Sequence, residues 1–323
     1  MSFSYEELAE IRHYIHQHPE LSGQEYQTTA FLRERLEELG IRILESGLKT
    51  GLIAEIGSGH PVVALRADID ALPILEQTSL PYQSQNPGVM HACGHDFHQT
   101  SLLGAASLLK EKEDQLDGTI RLIFQPAEEI SEGATEVLAT GLLEDVQGII
   151  GFHNMPQLKA GQLALNAGAM MAGVEKFKVT VTGVSSHAAR PDLGADTVTA
   201  VTTMVQNLQL LISRTVSPFE TAVLSITHLD VGSTWNVLPK SGYFEGTIRS
   251  FNPSLQRELK QRFISIIRHT AKSLEVDVTF DWGVTPPVTF NDEELTQLVW
   301  DTSQGLAEVI PAHPSTAGED FAF

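Results

Sequence analysis

The chain has 323 residues, 42% of them hydrophobic, more than one compact core organises, which predicts two domains with one inserted in the other. Its 41 acidic residues against 21 basic ones give a formal net charge of -20, which argues against nucleic acid and anionic membranes as partners, because both need a basic footprint. A single cysteine makes no intramolecular disulfide, no stretch reaches the roughly 20 apolar residues of a bilayer span, and no signal-peptide pattern is visible, so the expected location is the cytoplasm.

Residues 5–40 read as two helices. Leu8, Ile11, Tyr14 and Ile15 recur at helical spacing up to Pro19, and Phe31, Leu32, Leu36 and Leu39 define a second helix over about 24–39 with Gly40 as its C-terminal cap. His16 and His18, between them, read as turn and capping residues and not as ligands. From 41 to 165 short apolar runs alternate with helices. Val62–Leu65 feeds Arg66-Ala67-Asp68-Ile69-Asp70, Thr119–Phe124 feeds Gln125-Pro126-Ala127-Glu128-Glu129, and Gly148–Phe152 feeds His153; a helix is expected over about 98–112. Alternating strands and helices predict an α/β sheet whose functional groups gather beyond the carboxyl ends of its strands.

The pattern changes over 174–284. Phe177, Val179 and Val181 alternate as in a half-buried antiparallel strand. A helix over about 195–213, strands near 221–229 and 241–249, a helix over about 254–274 and a strand at 276–281 follow. That βαββαβ order predicts a ferredoxin-like α+β unit, inserted between residues 1–173 and a return segment 285–323 that opens with a helix over about 292–309. Its edge strand and exposed helix offer a surface for a dimer.

The chemistry concentrates in Met90-His91-Ala92-Cys93-Gly94-His95-Asp96-Phe97-His98, which holds the only cysteine and three histidines. Cys93 and His95 alternate, so an extended or loop backbone can point both to one side. Thiolate and imidazole together suit Zn and accept Mn, Co or Ni. A polar surface loop, or a buried cysteine packed as a small hydrophobe, is the alternative. Glu128 and Glu129 leave the backbone in different directions, so one can ligate a metal while the other acts as general base on a water. An acid-rich helix start would explain the pair alone; following a buried strand, and joined by Cys93, His95 and His153, the pair reads better as functional. Cys93, His95, Glu129 and His153 are thus four candidate ligands, enough for one metal fully or two incompletely. His187, Asn236 and Arg249 in the 174–284 segment supply an imidazole, an amide and a cation that could bind a carboxylate and polarise a carbonyl, solvated loop residues being the plainer reading.

These residues carry a resemblance. His16-Pro19-Glu20-Leu21, Leu65–Asp68, His91–Asp96, Gln125–Glu129 and Gly318-Glu319-Asp320-Phe321, in order along nearly the whole chain, resemble the metal-dependent amidohydrolases that include indole-acetyl-amino-acid hydrolases, hippurate hydrolases and N-acetyl-diaminopimelate deacetylases. These belong to the aminoacylase and carboxypeptidase-G-like metallopeptidase superfamily. The resemblance implies a metallopeptidase-like catalytic domain holding two divalent ions, Mn or Zn with Co or Ni substituting, and a homodimer built through the inserted domain. By matching position, Cys93, His95, Glu129 and His153 would be ligands and Glu128 the general base. His187, Asn236 and Arg249 would bind substrate, with His187 reaching into the partner's site. The family's last ligand, a histidine downstream of the Gly-Glu-Asp motif, would fall past Phe323, and His313, upstream of it, does not correspond. The expected activity is hydrolysis of the amide bond of N-acyl amino acids. A dipeptidase or carboxypeptidase of the same superfamily, or a metal-poor binding protein without turnover, are the alternatives.

Overall fold

The computed structural model describes residues 2–323. They form two compact units, one running to Gln162 and including Phe323, the other spanning Leu163–Ala322.

The first unit begins with helices α1 (Tyr5–Gln17) and α2 (Tyr26–Glu38). Ser4 and Glu7 start α1 reciprocally: each side chain accepts the other's backbone N–H, which satisfies two otherwise orphaned donors. Strands β1 (Arg42–Ile43), β2 (Leu52–Ser58), β3 (Val62–Asp68), β4 (Gly118–Gln125) and β5 (Val146–Gly151) form one sheet in the order β1-β2-β4-β3-β5. β3 runs parallel to both β4 and β5, whereas β2 is antiparallel to β4, so the sheet is mixed. Helices α3 (His95–Lys110) and α4 (Gly133–Ala139) complete the unit.

Side-chain alternation along the strands divides two hydrophobic layers. Leu52, Ala54 and Ile56 of β2 and Leu122 and Phe124 of β4 pack with Ile11, Ile15, Leu32, Leu36, Leu102 and Leu103 of α1–α3. The intervening Ile53 and Ile123 cluster with Ala64 and with Val137 of α4. Both faces of the central strands are therefore covered, which explains their nearly continuous apolar runs.

The second unit contains β6 (Gln162–Leu165, its first residue in the first unit), β7 (Gly168–Met171), β8 (Gly173–Thr182), β9 (Ser186–His187), β10 (Ala222–Val231), β11 (Val237–Leu238), β12 (Ser241–Ser250), β13 (Asp277–Trp282), β14 (Thr289–Asn291) and β15 (Glu308–Pro311). It also contains α5 (Thr197–Thr215), α6 (Pro253–Ser273) and α7 (Glu293–Thr302). Four strands make an antiparallel sheet in the order β10-β12-β8-β13. Phe177, Val179 and Val181 of β8 are buried with Phe244 and Ile248 of β12 against Met204, Leu208, Leu259, Phe263 and Ile267 of α5 and α6. Asp196 and Asn252 cap these helices by accepting the first free backbone N–H groups. No helix among the described residues is long and apolar enough to cross a membrane.

Two elements differ from the periodicity reading. The helix expected over about 98–112 begins at His95, because Gly94 takes a left-handed conformation (φ +97°) that turns the loop directly into it. The helix expected over about 292–309 ends at Thr302, where the chain turns through Gly305 (φ +81°) into β15.

Candidate metal centre

Strand register brings the candidate ligands of the first unit together. In the β3–β4 pair Asp68 lies opposite Gln125, and in the β3–β5 pair Arg66 lies opposite Gly151. The segments Glu128–Glu129 and His153–Asn154 therefore leave the sheet at the same edge as Asp68–Asp70. Ala127 precedes the glutamates with a left-handed backbone (φ +52°), a conformation disfavoured for a residue with a Cβ. The buried Glu25 braces that turn by accepting the Ala127 N–H at 2.8 Å. Gly94 packs against Asn154 so closely that a Cβ there would lie 2.8 Å from the Asn154 side-chain nitrogen. The Cys93–His95 turn and the His153 loop are thus held in contact.

Ligand-capable atoms of Cys93, His95 and His153 lie within 4.8 Å of one another, and so do those of His95, Glu128 and Glu129. Cys93 Sγ is 3.4 Å from His153 Nε2, and His95 Nε2 is 3.9 Å from Glu129 Oε1. His95 Nε2 and Glu129 Oε1 are both buried without a hydrogen bond. Two such atoms left unpaired would each cost about 1–3 kcal/mol, and a cation between them removes that cost. The donor set of thiolate, imidazole and carboxylate is chemically suited to Zn or Mn. Cys93, His95 and His153 therefore lie together and Glu129 lies beside His95, with donor chemistry that fits a divalent ion.

The electrostatics agree. Burial opposes a charge on His95, yet Asp68 and Asp70 hold its pKa well above the ordinary value; the same concentration of negative charge favours a bound cation. Burial raises the Cys93 thiol and the Glu129 carboxyl, so each holds a proton that a bound metal would displace.

A surrounding layer holds the candidate ligands in place. His95 Nδ1–H donates to the Asp70 carbonyl at 2.9 Å, with Asp70 Oδ1 3.3 Å away, which leaves Nε2 for the ion. Asp70 Oδ2 accepts the Ser22 hydroxyl at 2.7 Å and the Glu129 N–H at 3.0 Å. Asp68 accepts Arg66 Nη1 at 2.8 Å and His98 Nδ1–H at 2.6 Å. Beyond this layer the buried His16 bridges Asp96 (3.1 Å) and Glu76 (3.3 Å), while Arg12 Nε donates to Asp96 at 3.0 Å. His16 lies in the last turn of α1 and His18 caps it, but the His16 ring is buried against the two carboxylates, a role beyond ending the helix. Asp68, Asp70 and His98 are not among the site residues expected from the sequence, although Asp68 and Asp70 belong to a segment that an apolar strand feeds.

Of the substrate-binding candidates in the second unit, His187 and Asn236 meet on a two-stranded ribbon. His187 lies opposite Val237, and the Ala188 N–H donates to the Asn236 carbonyl at 3.0 Å. His187 Nδ1 accepts the Ala189 N–H at 3.1 Å, which leaves Nε2–H as an outward donor. Arg249 lies on β12 and donates to the Thr316 carbonyl at 2.7 Å.

Comparison with known proteins shows the family. Residues 64–323 match the model of the peptidase family M20/M25/M40. The chain is 46% identical over 320 residues to N-acetyl-L-cysteine deacetylase of Bacillus subtilis, covering 98% of this chain and 77% of that one. It is 38% identical over 286 residues to N-acyl-L-amino acid amidohydrolase of Geobacillus stearothermophilus, covering 87% and 77%. Among solved structures it is similar to a dinuclear metal-binding peptidase of Bacillus subtilis, with a TM-score of 0.86 and 39% identity over 98% of this chain and 84% of that one. On the strength of its fold and these matches, the chain belongs to the peptidase family M20/M25/M40.

Proposed function

We propose that the protein is a metal-dependent amidohydrolase that cleaves the amide bond of N-acyl amino acids, releasing a carboxylate and the free amino acid. The observation that carries this reading is the convergence of Cys93, His95 and His153 beside Glu128 and Glu129. Cys93, His95, Glu129 and His153 would hold two divalent ions, Mn or Zn. Bound there, such ions supply the charge that makes water nucleophilic near neutral pH and polarises the acyl carbonyl.

Glu128 takes a proton from the attacking water as its oxygen bonds to the acyl carbon. The same carboxyl returns that proton to the amide nitrogen as the C–N bond breaks, so the amine leaves neutral. His187, whose Nε2–H faces outward, donates to the oxygen that gains charge. Asn236 and Arg249 bind the amino acid carboxylate. The β8-α5-β10-β12-α6-β13 order and the β10-β12-β8-β13 sheet support a ferredoxin-like unit spanning about 174–284. It would be inserted between 1–173 and 285–323 and pair two copies through its edge strand and helix. A metal-ligating lone thiolate also calls for a reducing compartment, consistent with the cytoplasm.

The test is hydrolysis of acetyl, benzoyl and indole-acetyl amino acids, beside dipeptides, by wild type and Glu128→Gln. Loss of a general base of this kind costs about 10²–10⁴ in kcat, with metal content unchanged. Wild-type turnover of dipeptides alone, or full activity in Glu128→Gln, overturns the reading.

A further inference from the structure

His98 is the third histidine of the Cys93–His98 stretch, and its ligand-capable atoms lie within 4.8 Å of those of Asp68 and His95. Both of its ring nitrogens are already committed. Nδ1 lies 2.6 Å from Asp68 Oδ1, and Nε2 lies 2.7 Å from the Asn154 backbone nitrogen. The Asn154 N–H can only donate, so His98 Nε2 is the acceptor and the ring hydrogen sits on Nδ1, facing Asp68. Binding a metal through either nitrogen would break one of these short bonds in a side chain that is 1% exposed, where water cannot replace it.

Asn154 is held at its N–H by His98, and its own carbonyl accepts the His153 Nδ1–H at 2.7 Å. The chain Asp68–His98–Asn154–His153 therefore runs from the end of β3 to one of the candidate ligands and leaves His153 Nε2 turned towards Cys93 Sγ, 3.4 Å away. The His98 and His153 rings lie 5.0 Å apart, edge to face, and the Phe152 ring packs on His98, also edge to face, at 5.0 Å. We propose that His98 is not a ligand but a positioning residue, whose Nε2 fixes the Asn154 peptide and thereby the orientation of His153 in the metal centre. This rests on the proposed metal centre for its consequence, though not for its geometry.

Two substitutions separate the bonds of the ring. His98→Gln keeps an acceptor near Nε2 for the Asn154 N–H, whereas His98→Asn keeps a donor near Nδ1 for Asp68 and loses the acceptor. Cobalt titration, followed by visible absorption and the near-ultraviolet thiolate band of Cys93, reads metal affinity directly. We expect His98→Asn to bind cobalt about 10–100-fold more weakly, the range for losing a partner of a metal-ligating histidine, and His98→Gln to stay within about threefold of wild type. Equal weakening in both variants, the reverse order, or no change in either overturns the proposal. Nitrogen-15 NMR of wild-type protein freed of metal provides a readout independent of metal and of variant folding. The Nδ1–H tautomer at His98, bonded to the Asn154 amide, is expected, and the Nε2–H tautomer overturns the assignment. Failure of wild type to bind cobalt counts against the metal centre and leaves the tautomer measurement to decide His98.

Discussion

Replacing His16 by glutamine removes the one charge that sits between two buried carboxylates and leaves a side chain able to donate a hydrogen bond. His16 is buried, 3.1 Å from Asp96 and 3.3 Å from Glu76. The Asp96 hydrogen bond, opposed by burial and reinforced by Glu76, raises its pKa above the usual 6.5. Burial opposes the charge on Asp96, yet His16, His91 and Arg12 hold its carboxyl down at about 2; the Glu76 carboxyl, though burial opposes its charge as well, is lowered by Thr78, the Ser84 N–H and His16. Both acids are therefore ionised from pH 5 upward. Breaking a buried ion pair by removing one partner costs about 3–5 kcal/mol; the glutamine amide recovers one hydrogen bond of about 1 kcal/mol, so near pH 5.5 the variant should be less stable by about 2–4 kcal/mol.

The pH dependence carries the sharper test. A histidine whose pKa is raised on folding contributes stability that is complete below its unfolded value of 6.5 and is lost as pH rises through its folded value. The gap between wild type and His16→Gln should therefore be widest at pH 5–6 and shrink above pH 6.5 by about 1.4 kcal/mol for each unit of the shift. Burial keeps His91, the neighbouring ring, neutral down to about 4 in the wild type, below the pH range of the measurement. Urea denaturation of both proteins in chelator, from pH 5 to 9, measures this gap. A gap that stays constant over that range refutes the bridging charge.

Two further outcomes test the layer around the ligands. In Gly133→Ala the new Cβ would lie 1.6 Å from the Pro126 carbonyl oxygen and 2.7 Å from its carbon. Backbone atoms cannot swing aside as a flexible side chain can, so α4 or the Glu128–Glu129 segment must shift. The urea midpoint should fall by an amount equivalent to about 1–3 kcal/mol, and an unchanged midpoint contradicts the packing. In Asp70→Asn the amide oxygen can keep the Ser22 and Glu129 bonds only by turning its NH2 onto the His95 Nδ1–H, donor against donor. Metal affinity, measured by competition with a chelator, should drop about 10–100-fold; wild-type affinity in the variant would remove Asp70 from the metal layer.

Much of this site is legible in the residues themselves. Cys93, His95, Glu129 and His153 stand out because ligand chemistry needs those residue types, and because two of their segments, those of Glu129 and His153, follow apolar runs that read as buried strands. The roles of His16, Asp70 and His98 are not legible in the same way. His16 meets Glu76 and Asp96 across 60 and 80 residues of chain, and the spacing around Pro19 points only to the end of a helix. His98 sits one helical turn beyond His95, and whether it ligates or supports depends on the Asn154 N–H, 56 positions away.

Hydrophobic periodicity and residue chemistry by themselves determined the α/β character of the chain, the antiparallel strand through Phe177, Val179 and Val181, and the identity of the ligand candidates, because each is a property of neighbours along the backbone. The tertiary structure decided which histidines face the metal centre and which are spent on carboxylates and backbone. That division follows from the β3–β4 and β3–β5 registers and from the left-handed turns at Gly94 and Ala127, where long-range hydrogen bonding and close packing determine the direction of each side chain.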